Sequence, residues 1–207
     1  MQRYKYLFNL PNILTFTRIS VIPLLTIVFY LPVPWAHLAA AIIFACASAT
    51  DWLDGYLARS LKQTTKLGAF LDPVADKLMV CVALIIIVAE SHFQYIGISS
   101  AILSIPAIFI TLPAAIIVSR EIIVSALREW MAELGKRAHV AVSRLGKIKT
   151  VVQMLALIVL LYCDSTTNAF FIFLGYILLY IAAVLTVWSM LMYLKAAWIE
   201  LQSTLLE

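Results

Sequence analysis

The sequence predicts an all-α, polytopic membrane protein: a bundle of six transmembrane helices led in by an interfacial helix at the amino terminus. Three observations carry this. Of the 207 residues, 64% are hydrophobic and only 13% are charged, about half the charged fraction of a soluble domain. The apolar residues gather in six runs of roughly 20, the length an α-helix needs to cross about 30 Å of hydrocarbon. The Lys and Arg residues fall to one side of those runs. Together these features exclude a soluble enzyme, a disordered tail and a disulfide-stapled secreted module. The net charge of +4 is dispersed among apolar segments, so no nucleic-acid partner is expected.

The elements follow in order. Residues 3–10 alternate bases with Tyr and Phe, the pattern of a helix lying in the interface. The apolar runs cover residues 13–31, 35–58, 71–89, 99–119, 142–162 and 169–193. Three connections, residues 32–34, 90–98 and 163–168, contain no Lys or Arg. All 15 bases lie toward the other ends: near the amino terminus, around residues 60–70, through residues 120–150 and near the carboxyl end. The positive-inside rule therefore places both termini and the two larger loops in the cytoplasm. No internal repeat or linker interrupts the pattern, so residues 1–207 read as one domain. Cys46, Cys81 and Cys163 lack metal or CxxC spacing and read as packing residues. A mixed, aromatic start with no small-residue cleavage site speaks against a cleaved signal peptide.

Depth is more informative than count. Trp35, Glu90 and Asp164 mark the outer boundary, and about 20 residues inward from each lies the inner one. Asp51 and Asp54 then fall at the cytoplasmic surface on the second helix, and Asp72 and Asp76 on the third. The fourth helix brings Arg120 and Glu121 to that level, the fifth Arg144, Lys147 and Lys149, and the first Asn12, Thr15 and Arg18. Charged groups are costly in hydrocarbon and by default face one another or a wet cavity. Snorkelling explains long bases such as Lys62, Lys66, Lys136 and Lys195. It does not explain four short carboxylates.

Asp51 and Asp54 are three residues apart, and Asp72 and Asp76 four, so each pair shares one helical face. Four bare carboxylates brought together would repel, and hard divalent cations, Mg²⁺ or Mn²⁺, suit such an oxygen set. His37, His92 and His139 form no ligand set with them. Asp72 before Pro73 also fits a helix N-cap, which would account for one aspartate of the four. Gly55 and Gly68 leave room for a ligand to approach, or for close helix packing, and Ala58 allows the same. Arg59 supplies a permanent cation beside the cluster, which with metals suits a pyrophosphate.

These residues carry a resemblance. Asp51, Asp54, Gly55, Ala58, Arg59, Gly68, Asp72 and Asp76 match every fixed position of D-x2-D-G-x2-A-R-x8-G-x3-D-x3-D, the signature of the CDP-alcohol phosphotransferases. Eight such identities arise by chance on the order of once in 10¹⁰ starting points. The opening from Pro11 to Arg18, the stretch from Ser119 to Arg137 and the run from Gly146 to Thr150 are similar to the phosphatidylglycerophosphate synthase branch of bacteria.

The resemblance implies phosphatidyl transfer from CDP-diacylglycerol to glycerol 3-phosphate at the bacterial inner membrane, with the active site facing the cytoplasm, two Mg²⁺ or Mn²⁺ ions and a homodimer. By motif position, Asp51, Asp54 and Asp72 would be metal ligands, and Asp76 both ligand and general base. Gly55, Ala58 and Arg59 would contact the CDP moiety, with Gly68, Asn12 and Thr15 placed on the same donor side. Because the acceptor carries a phosphate, its half of the pocket should be basic, and Arg120, Arg144, Lys147 and Lys149 are the candidates. Arg128 is expected to face lipid headgroups. The signature itself specifies the donor and not the alcohol, so inositol phosphate, serine or phosphatidylglycerol are alternative acceptors. A divalent-cation transporter would want polar groups continuing to both faces, which the nearly uncharged outer halves do not provide.

Overall fold

The computed structural model describes residues 10–61, 66–98, 101–133 and 144–205. Six α-helices run through them: α1 Leu10–Phe29, α2 Ala36–Leu61, α3 Lys66–Ala89, α4 Ile108–Glu133, α5 Arg144–Tyr162 and α6 Ala169–Leu205. A 3₁₀ turn, Ser91–Phe93, and a two-stranded hairpin lie between α3 and α4. The amino-terminal segment expected to lie in the interface falls almost wholly outside the described residues, as does His139.

Local chemistry sets the boundaries. The helix α1 stops before Pro32 and Pro34, which lack an N–H to continue it. The largest departure from the sequence reading is the fourth element. Instead of a helix over 99–119, strands β1 Tyr95–Ile98 and β2 Ala101–Ser104 pair antiparallel, with Tyr95 opposite Ser104, and α4 begins only at Ile108. Pro106 is the physical reason: it disfavours helical backbone at Ile105, and the β-branched residues before it suit a strand. Ile96 is buried, and the Tyr176 hydroxyl donates to the Phe93 carbonyl at 2.9 Å, so the hairpin is anchored to α6. Helix α3 starts earlier than the apolar run, at Lys66, which puts Pro73 inside the helix and removes the N-cap reading of Asp72. Pro73 also leaves the carbonyl four residues earlier without its helical donor.

Short connections make sequence neighbours antiparallel, so the bundle has two unlike ends. At the charged end lie the starts of α1, α3 and α5 and the finishes of α2, α4 and α6. The hairpin end carries the opposite termini. Helix α1 packs on α2 and α3, α2 on α5, and α4 and α5 on α6, whereas α2 and α3 meet only sparingly. The shared core includes Leu25, Phe44, Leu84, Ile87, Ile117, Leu157 and Leu160. Gly175 lets α6 close on α5, because a Cβ there would stand 2.5 Å from the Leu160 side chain.

The surface is the reverse of a soluble protein's. Ile27, Ile85, Phe170 and Val184 are more than 60% exposed, while Arg18, Arg120, Lys149 and Gln153 are buried. An apolar exterior around buried charge is the arrangement a lipid environment favours. Among the described residues, Ile108–Ala132 and Ala169–Lys195 are long and apolar enough to cross a bilayer, and Thr15–Phe29 and Ala36–Thr50 form shorter apolar helices.

Candidate active site

Helix periodicity assembles the charged end from residues distant in sequence. Asp72 and Asp76 share one face of α3, and the face of α1 opposite presents Thr15 and Arg18 at nearly the same spacing. The Thr15 hydroxyl donates to Asp72 Oδ1. Arg18 Nη1 donates to Asp76 Oδ1 at 2.7 Å; the Arg18 side chain is 2% exposed and that of Asp76 36%. Asp76 is thus held by a buried guanidinium while about a third of its side chain stays exposed.

Beside it is a cavity of about 300 Å³. Asp76 and Lys77 of α3 line it, with Arg120, Glu121 and Arg128 of α4, Lys149 and Gln153 of α5, and Tyr193 of α6. Four cations face two carboxylates there, so the cavity favours an anion. Lys149 donates to Glu121 Oε1, and Arg120 Nη1 reaches the same oxygen at 3.5 Å. Arg120 Nη2 donates to Ser189 Oγ at 3.1 Å, and Arg128 Nη2 to Tyr193 Oη at 2.7 Å. Both guanidinium groups lie over the Tyr193 ring, at 5.8 and 5.0 Å from its centroid. Arg120 Nε, buried with its charge, has no hydrogen-bond partner among the described residues. A buried donor on a permanent cation lacks an acceptor, which a phosphate oxygen would provide.

Of the expected acceptor-side bases, the structure brings Arg120 and Lys149 into this cavity. Lys147, two residues along α5, is exposed and does not line it, because successive helical positions turn about 100°. Arg144 is the first residue of α5, and its side chain lies outside the described set. Arg128, expected among headgroups, is instead half of the Tyr193 contact. Sequence reasoning also passed over Gln153, Ser189, Tyr193 and Lys77. For the first two a signal existed: Gln153 is four residues from Lys149 on one face, and Ser189 is a polar residue within an apolar helix.

Asp51, Asp54, Gly55, Ala58 and Arg59 lie on the last three turns of α2, and Gly68 on the first turn of α3. Asn12 is in the first turn of α1. The side chains of these residues are outside the described set. Among the described residues no three Asp, Glu, His or Cys side chains form a metal-binding group. What is described fits a hard cation: two carboxylates, one turn apart on a helix, with Asp76 partly open and only oxygen donors offered.

A membrane-type helical protein with carboxylates on one helix and an anion-seeking cavity beside them is suited to chemistry on a phosphate-bearing, lipid-linked substrate. Residues 8–188 match the family model of the CDP-alcohol phosphatidyltransferases, and the chain belongs to that family. It is 50% identical over 190 residues, 92% of this chain and 95% of the relative, to a CDP-diacylglycerol–glycerol-3-phosphate 3-phosphatidyltransferase of Shigella flexneri serotype 5b. Identity and coverage are the same with the protein of that name from Escherichia coli strain K12.

Proposed function

We propose that this enzyme transfers the phosphatidyl group of CDP-diacylglycerol to the sn-1 hydroxyl of glycerol 3-phosphate, giving phosphatidylglycerophosphate and CMP. The acceptor follows from the names of relatives at 50% identity. The structural observation that supports it most is the cation-rich cavity next to Asp76, with the Arg120 guanidinium short of an acceptor. Glycerol 3-phosphate is small and anionic and fits about 300 Å³.

Arg120, Arg128 and Lys149 bind the acceptor phosphate, displacing Glu121 as the partner of Lys149. Arg18 orients Asp76, whose carboxylate takes the proton of the attacking hydroxyl as that oxygen bonds to the phosphorus attached to diacylglycerol. The bond from that phosphorus to the CMP oxygen breaks, and Arg59 stabilises the charge that leaves. Gly55, Ala58 and Gly68 let the nucleotide approach the helices, with Asn12 and Thr15 on the donor side. Asp51, Asp54, Asp72 and Asp76 would hold two Mg²⁺ or Mn²⁺ ions, which when bound neutralise the pyrophosphate.

The same reading makes residues 1–207 one domain that spans the bacterial inner membrane six times. Both termini and the active site face the cytoplasm, and the chain works as a homodimer among membrane lipids. The orientation rests on the one-sided distribution of bases, the spans on the apolar runs, and the homodimer on the family resemblance alone. The deciding experiment incubates purified protein with CDP-diacylglycerol, Mg²⁺ and a panel of alcohols, measures CMP and identifies the lipid. Phosphatidylglycerophosphate is expected. Release of CMP only with serine, inositol phosphate or phosphatidylglycerol would reassign the acceptor, and no release with any alcohol would end the proposal.

A further inference from the structure

The cavity contains a buried carboxamide that neither the phosphate nor the proton transfer uses. Gln153 is 2% exposed, and its Oε1 is buried without a hydrogen-bond partner among the described residues. A buried carboxamide left so is destabilising, and native structures rarely keep one unless water or a ligand completes it. Its position decides between these. Gln153 follows Lys149 by four residues, so the two side chains stand on one face of α5, about 6 Å apart along the axis, and both line the cavity. Every other polar lining group on α4, α5 and α6 carries charge, or is already hydrogen-bonded to one, apart from Thr150, whose hydroxyl donates to the Gly146 carbonyl at 2.9 Å. A carboxamide beside a phosphate seat is matched to a neutral hydroxyl, which it can serve as acceptor and donor alike.

We infer that Gln153 is a specificity-determining residue, its carboxamide hydrogen-bonded to the C2 hydroxyl of the acceptor while Arg120, Arg128 and Lys149 hold the phosphate. The inference rests on the proposed reaction and adds what selects the alcohol. Phosphate alone does not distinguish a glycerol phosphate from any other small phosphoalcohol. A buried amide that loses its partner whenever the C2 hydroxyl is missing rejects the analogue through the unpaired group.

The experiment compares kcat/KM for sn-glycerol 3-phosphate and for 3-hydroxypropyl phosphate, which has the same phosphate and the same attacking primary hydroxyl but nothing at C2. Wild-type enzyme is expected to prefer the first by about 10- to 100-fold, the range for one buried hydrogen bond and the group it leaves unpaired. Gln153→Met keeps the volume in an apolar setting. It should lower kcat/KM for glycerol 3-phosphate while scarcely changing that for the analogue, so the ratio collapses toward one. Gln153→Glu, which keeps an acceptor, should retain more of the ratio than the Met variant. A wild type that uses both acceptors equally overturns the inference without any variant. So does a Met variant that slows both acceptors by the same factor, the behaviour of a residue that only holds a water or the helix packing. CMP release by wild type with glycerol 3-phosphate tests the reaction separately, so the two failures are distinguishable.

Discussion

The two ends of the bundle each hold a polar cavity, about 300 Å³ at the charged end and about 390 Å³ at the hairpin end, yet they are built in opposite ways. At the hairpin end the carboxylates find local partners, and the Tyr176–Phe93 bond is the long-range anchor. Asp164 Oδ1 accepts from the Thr166 amide at 2.8 Å and from the Thr166 and Thr167 hydroxyls at 2.7 and 2.9 Å, and His92 Nδ1 lies 3.3 Å from Glu90 Oε1. At the charged end Thr15 meets Asp72, Arg18 meets Asp76, Arg120 meets Ser189 and Lys149 meets Glu121, each across 28 to 69 residues of chain. Local pairs terminate helices at little entropic cost, whereas long-range buried charges are ordered only by the whole fold. Buried charge that requires the complete bundle marks the site, whereas the Asp164 carboxylate, satisfied within a few residues, is a cap.

The largest effect is expected at Asp76. Replacement by Asn should lower turnover by about 10² to 10⁴, the range for a general base, and by more if it also holds a metal ion. A folded Asp76→Asn enzyme releasing CMP at near-normal rate would remove it from the chemistry. Next in size, Lys149→Ala should raise the apparent KM for glycerol 3-phosphate by about 10- to 100-fold, the worth of a charged hydrogen bond, and leave that for CDP-diacylglycerol nearly unchanged. Lys147→Ala, on the exposed side of the same helix, is expected to alter neither, and equal effects from the two lysines would contradict the assignment of α5 faces.

How much of this the sequence disclosed depends on the range of the interaction. Hydropathy located five of the six helices to within a few residues at most ends, because burial in lipid leaves long runs that few other constraints disturb. It ran through Pro106, where a backbone restriction turned the chain into a hairpin. It also ended α6 at residue 193, although the helix continues to Leu205 on a less apolar sequence. Motif spacing gave the α3 carboxylates and the basic character of the fourth and fifth helices. It put Lys147 ahead of Lys149, whereas Lys149 lines the cavity and Lys147 is exposed: both are bases at one depth, and only the rotation of α5 separates them. Tyr193 and Gln153 carry no charge to draw attention, and their role is visible only once three helices are packed together.

A smaller effect separates stability from catalysis. Asp164→Ala removes a carboxylate that takes three hydrogen bonds at the start of the 163–168 connection. A loss of about 0.5–2 kcal/mol of stability, typical of a cap, is expected and read as a lower thermal midpoint, with both KM values unchanged. A changed KM for glycerol 3-phosphate would mean that the hairpin end communicates with the site.

The smallest effect is a pH dependence confined to the hairpin end. Burial pushes the His92 imidazole below its ordinary value; its hydrogen bond to Glu90 and the charges of Glu90 and Asp164 oppose this, while His37 reinforces it. The unfolded chain therefore binds a proton more readily than the folded one, so stability rises with pH through this interval. The contribution of neutral His92 is complete above its unfolded value near 6.5 and declines as pH falls below it, by no more than about 1.4 kcal/mol per pH unit. Asp164 does not confuse the measurement. Burial raises its carboxyl, but the hydrogen bonds from Thr166 and Thr167 more than offset this, and its net value lies below 3.8. Its stabilisation is present above 3.8 and lost only as pH falls through the lower folded value. Thermal midpoints measured between about pH 7.5 and 5.5 should thus fall for the wild type and fall less for His92→Gln. Identical slopes for the two proteins would show that His92 titrates alike in both states.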